Sequence, residues 1–265
     1  MKHFKRGLQG YPAKTRSSGD NSSVESPFFR VEGLSAISEF IKHRPGAIRS
    51  VHCTRLDRKK LDEWMSKFPV DVQIEEIASD RERAQDEYTQ TYAEVELHTL
   101  GWQAFKQIAA KDLPRLILIC DHIVDPRNVG AIVRTAAFFG VPFVLAPERR
   151  QALLTRASVV TSQGGFALTD LVNVGNLNRA CEELKELGFW LIGSDMSGES
   201  LLSIPKNEYQ HMAIIMGSEH EGVSALVQKA CDRTISIPGA SRSVESLNVS
   251  VACGIVLNHF FLQEP

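Results

Sequence analysis

The sequence has no CxxC pair. Its five cysteines, Cys53, Cys120, Cys181, Cys231 and Cys253, are scattered along the chain. An odd, unpatterned set argues against a disulfide framework and against a zinc site, and it fits a reducing, cytoplasmic compartment. No apolar run approaches the length of a membrane span, so no membrane partner is expected. The opening MKHFKRGLQGYPAKTRSSGDNSS is charged and has no apolar core segment, so a secretory signal is not expected. A formal net charge of -2 gives no polycationic signature, although a local basic patch is enough to bind nucleic acid. No GxGxxG follows the first strand of a βαβ unit, which leaves a Rossmann dinucleotide site unsupported. No GxSxG elbow is present, so a Ser/His/Asp triad is rejected. There is no internal repeat.

What is present is a chain of 265 residues, 43% hydrophobic, ample for one large domain or two modest ones. Residues 1–27 are poor in apolar periodicity and are expected to form a flexible arm. Lys2, Lys5, Arg6, Lys14 and Arg16 outnumber Asp20 and Glu25 there. The plain reading is a solvated tail, the sharper one an arm that touches RNA, and a mitochondrial transit peptide is the third. From Val31 the pattern becomes regular. GLSAISEFIKH reads as a helix with Leu34, Ile37, Phe40 and Ile41 on one face, and AIRSVHCT alternates as a strand. DRKKLDEWMSKF reads as a helix capped by Asp57, and VDVQIEEI as a strand. Residues 79–92 are charged and nearly free of aliphatics, the mark of a surface element or linker. The segment 93–113 holds a short strand and the helix WQAFKQIAA.

A larger alternating unit begins near Leu113. RLILICD, PFVLA, FWLIGSD, HMAIIMGSE and RTISIPG read as strands. NVGAIVRTAAFFG, TRASVVTSQGG, LNRACEELKELG, GVSALVQKAC and SLNVSVACGIVLNHFFLQ read as helices. Strands alternating with helices predict an α/β fold with a parallel sheet covered on both faces.

In such sheets ligands sit beyond the carboxyl ends of strands. Three polar clusters fall there, DHIVDPRNVGAIVR, MGSEHEG and IPGASRSVESLN. In the first, Pro126 biases Asp125 away from helix and Asn128 is a good cap. Val129, Ile132, Val133, Ala136 and Ala137 make a buried stripe. Arg134 lies off it, on the side of Gly130 and Arg127, where small residues let another backbone or a phosphate approach. In the second, Gly217 and Gly222 permit tight backbone geometry. Glu219 and His220 are adjacent and lack helical ligand spacing, so no metal is expected. In the third, Ser246 is read as the cap of the last helix.

Together the clusters resemble the three motifs of the SpoU (TrmH-like) RNA ribose 2'-O-methyltransferases, of the knotted SPOUT class. The resemblance is carried by DPRNVGAIVRTAAFFGV, IIMGSEHEGVS and SIPGASRSVESLNVSVACGI, in order, over roughly residues 113–265. The front part, with GLSAISEFIKHRPGAIRSVHCT, is similar to the small L30e-like substrate domain of the ribosomal-RNA branch. The resemblance implies residues 28–105 as an RNA-binding domain and 106–265 as a catalytic domain with a deep trefoil knot. It implies S-adenosylmethionine as cofactor, structured RNA as substrate, and a homodimer using the C-terminal helix. Asn128, Arg134, Glu219, Ser246 and Asn248 match the family's polar active-site positions. Gly217, Ile237 and Leu247 match its cofactor contacts, made largely through backbone.

The implied chemistry methylates a ribose 2'-hydroxyl, most plainly in 23S-type ribosomal RNA. A transfer-RNA substrate and a catalytically silent RNA-binding or ribosome-assembly factor are the alternatives. The family assigns activation of the hydroxyl to the position of Arg134, yet arginine hardly ever deprotonates. Either Arg134 is a base helped by a phosphate and a partner subunit, or it stabilises alkoxide charge while another oxygen takes the proton. Three features depart from the family pattern. They are His220 in place of a glycine, about one extra residue in GASRSVE, and the loosely matching turn SQGGFAL.

Overall fold

The computed structural model of the chain describes residues 28–68, 72–77, 91–147, 153–205, 208–219, 221–240 and 246–261. The expected arm, most of the charged stretch after residue 78, His220 and the core of the GASRSVE loop lie outside the described residues.

Among the described residues the front unit is a four-stranded sheet with two α-helices. Its elements are β1 (Phe28–Glu32), α1 (Leu34–His43), β2 (Ile48–Cys53), α2 (Arg55–Lys67), β3 (Gln73–Glu76) and β4 (Tyr92–Glu96). The strand order is β1-β4-β2-β3; β2 pairs with β3 in parallel, and the other pairings are antiparallel. The stripe predicted for α1 is buried: Ile37, Phe40 and Ile41 are each 0% exposed. The predicted cap of α2 needs correction, because the helix begins three residues earlier, at Arg55, and Thr54 is its N-cap residue. Asp57 stands in the first turn, where it accepts hydrogen bonds from the hydroxyls of Thr54 and Thr91.

The larger unit comprises β5 (Leu100–Gly101), α3 (Trp102–Ala109), β6 (Leu116–Cys120), α4 (Pro126–Phe138), β7 (Phe143–Pro147), α5 (Arg156–Ser162) and β8 (Asp170–Val174). It continues with α6 (Leu177–Glu186), β9 (Trp190–Ser200), β10 (Met212–Met216), α7 (Ala225–Ala230), β11 (Arg233–Ser236) and α8 (Val249–Phe261). Its sheet runs β11-β9-β10-β6-β7-β8-β5, parallel at every pairing. The central strands β6 and β10 read as unbroken apolar runs because both faces are covered. Leu118 and Cys120 face the layer of α4, α5 and α8, whereas Ile117 and Ile119 face that of α3, α6 and α7.

One expectation is corrected here, and one strand is added. A domain boundary after residue 105 would cut through α3. Phe105 and Ala109 belong to the core of the large sheet, and β5 pairs with β8, so the division falls between β4 and β5. The strand β8 was not foreseen, because Asp170 and Asn173 give its sequence DLVNV a polar look. Both are satisfied by partners distant in sequence: Asp170 by the Arg44 guanidinium, and Asn173 by a 2.9 Å hydrogen bond to Thr99.

Arg44 belongs to the front unit, so the ion pair with Asp170 also clamps that unit to the sheet. A second clamp is the turn at Gly164, where φ is +89° and a Cβ would come 3.0 Å from the Ala36 backbone of α1. The loosely matching SQGGFAL segment is thus the seat of the front unit. Among the described residues, no helix is long and apolar enough to cross a membrane.

Candidate active site

The site is assembled where β6 and β10 end. Asp121, 1% exposed, ties these strands together. Its N–H donates to the Met216 carbonyl at 2.8 Å, and its Oδ2 accepts from the Ser224 N–H at 2.8 Å. The next residue, His122, has φ +58° and places Nδ1 2.7 Å from the other Asp121 oxygen. Sequence reasoning missed this pair. Positive φ is uncommon in a non-glycine residue, and although histidine adopts it more readily than most, that tendency does not single out one position in a chain.

Pro126 holds Asp125 extended, as expected (φ -70°, ψ 117°). The cap assignment is corrected: Asp125, not Asn128, caps α4, accepting from the Arg127 N–H at 2.8 Å. The Arg127 guanidinium beside it holds the Asp125 carboxyl below its ordinary range. Asn128 is thereby free to reach across to the second cluster. Gly130 is small for a packing reason. A Cβ there would overlap the Ser158 carbonyl and lie 2.7 Å from Thr161 Cβ, so what approaches is the backbone of α5.

In the second cluster the chain doubles back after Gly217. Ser218 and Gly222 exchange two backbone hydrogen bonds of 3.1 and 3.0 Å, and Gly222 takes φ +66°. A Cβ on Gly217 would overlap the Gly222–Val223 backbone. Glu219 stands exposed at the tip of this turn. In the third cluster α8 begins at Val249, which corrects the expected Ser246 cap. The cap is Asn248, whose Oδ1 accepts from the Ser250 N–H at 3.0 Å and the Ser250 hydroxyl at 2.6 Å.

The three clusters meet on one carboxylate oxygen. Glu219 Oε1 accepts from Asn248 Nδ2 at 2.6 Å, Asn128 Nδ2 at 3.3 Å and the Val249 N–H at 3.3 Å. Asn248 Nδ2 also reaches Asn128 Oδ1 at 3.0 Å. The carboxylate faces the first N–H groups of α8, where negative charge is favoured. A cavity of about 420 Å³ opens beside it, lined by His122, Asp125, Asn128, Ser218, Glu219, Glu221 and Val249 among others.

Of the remaining predicted residues, Arg134 is exposed two turns along α4, and its side chain makes no hydrogen bond or ion pair among the described residues. Its backbone is pressed from behind by Gly165, where a Cβ would lie 3.1 Å from Arg134 Cα. Ser246 and Leu247 are exposed just before the cap, and Ile237 is half-buried at the end of β11. The structure therefore gathers Asn128, Glu219 and Asn248 into direct contact, with Gly217 at the base of the turn. Arg134, Ser246, Ile237 and Leu247 stand outside that contact.

Residues 115–258, more than half of the chain, match the model of the SpoU rRNA Methylase family. The chain belongs to this family. Among its SpoU relatives is the 23S rRNA (guanosine-2'-O-)-methyltransferase RlmB of Neisseria meningitidis serogroup B. It is 43% identical over 148 residues, which are 55% of this chain and 57% of that protein. An uncharacterized tRNA/rRNA methyltransferase of Mycolicibacterium paratuberculosis is 42% identical over 151 residues, 57% of this chain and 48% of that one. The chain spans about half the length of these curated relatives. The fold is that of the SpoU methyltransferase AviRb from Streptomyces viridochromogenes, solved with AdoMet. The TM-score is 0.68 at 22% identity, covering 89% of this chain and 90% of AviRb.

Proposed function

We propose that this chain transfers a methyl group from S-adenosylmethionine to a ribose 2'-hydroxyl of RNA, with 23S-type ribosomal RNA as the substrate. The observation that carries the reading is the convergence of Asn128, Glu219 and Asn248 on one oxygen, from three motifs separated by 91 and 29 residues. A site assembled by shared hydrogen bonds is held rigid, and positioning supplies much of the acceleration of an in-line displacement. The ribosomal substrate is supported by the name of the Neisseria relative and by the front unit seated beside the α4 layer.

Gly217, Ile237 and Leu247 would hold the cofactor, and they fit it. Gly217 has no room for a side chain, and Leu247 is an apolar residue left 44% exposed. When bound, the cofactor supplies an electrophilic methyl on a sulfonium. Arg134, with no partner of its own among the described residues, faces the substrate and stabilises negative charge building on the 2'-oxygen. A guanidinium keeps its protons and serves as a donor only, so the proton of the hydroxyl passes to solvent or a phosphate oxygen. Asn128 and Glu219 hold the ribose side of the cavity, while Ser246 and Asn248 fix the approach to α8.

The trefoil knot belongs to the same reading. After β11, at one edge of the sheet, the chain returns to set Asn248 against Asn128 in the first turn of α4, the helix that follows β6, three strands away. So does a homodimer, supported by Val251 and Ile255, one turn apart on α8 and 52% and 38% exposed. A cytoplasmic location is supported by five free thiols, with burial pushing those of Cys120 and Cys181 up to about 12. The test is a map of ribose methylation in RNA from a deletion strain against wild type. Loss of one methyl in 23S RNA is the expected outcome. Loss in a transfer RNA instead moves the substrate, and no lost methyl favours a silent assembly factor.

A further inference from the structure

We propose that the first two turns of α2 are the surface on which this chain grips the RNA phosphate backbone. The proposal rests on the RNA reading above and assigns the grip to particular residues. Arg55, Leu56, Lys59 and Lys60 follow the spacing i, i+1, i+4, i+5, so they share one face of α2, and all four are exposed.

The carboxylates of the helix are held by other partners, and the charge of Lys59 acts on Glu63 only as the smallest of the influences on that group. Asp57 is turned to the hydroxyls of Thr54 and Thr91. Asp62 is bridged to Arg58 at 3.0 Å and Glu63 to Lys67 at 2.7 Å. Arg55, Lys59 and Lys60 are left with no ion pair within 4 Å among the described residues. Leu56, between them, is 89% exposed. Three unbridged cations around a bare leucine suit a polyanion that also offers apolar ribose and base faces, which is what RNA presents.

Packing ties this patch to the site. α1 packs against both α2 and the turn at Gly165–Ala167, and that turn backs Arg134. The patch and Arg134 thus lie on elements linked by successive packing contacts. A strand of RNA held at α2 is delivered toward α4 without crossing the opposite layer, where Arg179 and Lys185 are already bridged to Glu183 and Asp232.

The test uses the full chain without cofactor and a 23S ribosomal RNA transcript as probe, with binding followed over a salt series. In the triple variant Arg55→Gln, Lys59→Gln, Lys60→Gln, affinity should fall about 10-fold or more. The slope of log K against log salt should become shallower by about 2, since each lost phosphate contact removes roughly 0.7 to 0.9. The thermal midpoint should not move, and Arg179→Gln with Lys185→Gln should bind as wild type. A triple variant with wild-type affinity and slope overturns the assignment but not the RNA reading, as does an equal loss in the opposite-layer variant. A wild-type chain that does not bind the transcript overturns both.

Discussion

Asn248 donates to Glu219 Oε1 at 2.6 Å, joining the cap of the last helix to a turn 29 residues earlier. The bond lets one side chain serve two purposes. Asn248 Oδ1 starts α8, and its amide fixes Glu219 against Asn128. Residues that act as a unit are not additive. Glu219→Ala and Asn248→Ala should each cost much of the methyl-transfer rate, and the double variant little more. A double-mutant cycle on kcat should give a coupling of about 1 kcal/mol or more. Independent, additive losses would show that the contact has no role in the site.

Gly217→Ala should destabilise the protein by about 1–3 kcal/mol, as overpacking does, because the new methyl has nowhere to go but into the Gly222–Val223 backbone. The shift must also move Glu219, two residues on. Urea denaturation checks the first effect. Calorimetric titration with S-adenosylmethionine checks the second, with weakened binding expected.

Arg44→Ala should cost about 3 kcal/mol, since it strips the guanidinium from a carboxylate whose side chain is 7% exposed. The loss should loosen the front unit as well as lower stability. Limited proteolysis between β4 and β5 should therefore accelerate in the variant, while Arg44→Lys retains part of the protection.

Glu183 gives a signed dependence on pH. The hydrogen bond from Lys106, followed by that from Trp102, lowers its carboxyl to about 2. A depressed carboxyl contributes stability that is complete above the unfolded value of about 4.3 and is lost as pH falls through the folded value. The urea midpoint of wild type should therefore exceed that of Glu183→Gln at pH 5 and above. The gap should close toward pH 2. A constant gap would mean that the ion pair joining α3 to α6 does not titrate as described.

Much of this architecture was legible because apolar patterning is a local property. The unbroken runs of β6 and β10, the stripe of α1, and Pro126 holding Asp125 out of the helix each act within a few residues. β8 was not legible, because Asp170 and Asn173 are neutralised by Arg44 and Thr99, far away in sequence. The same limit applied to the caps. Thr54, Asp125 and Asn248 take positions first read as those of Asp57, Asn128 and Ser246. Several nearby residues can cap a helix, and long-range partners decide which one does.

By itself the sequence determined the alternation of helices with most of the strands, β8 excepted, and it held the residue types needed at the ends of β6, β10 and β11. Only the tertiary structure decided that Asn128, Glu219 and Asn248 share one oxygen, and that Gly130 and Gly164 are small to admit backbones of α5 and α1. The physical reason is one of range. Hydrophobic periodicity is written within a single turn or strand, whereas a hydrogen bond spanning 120 residues exists only once the packed layers have brought its ends together.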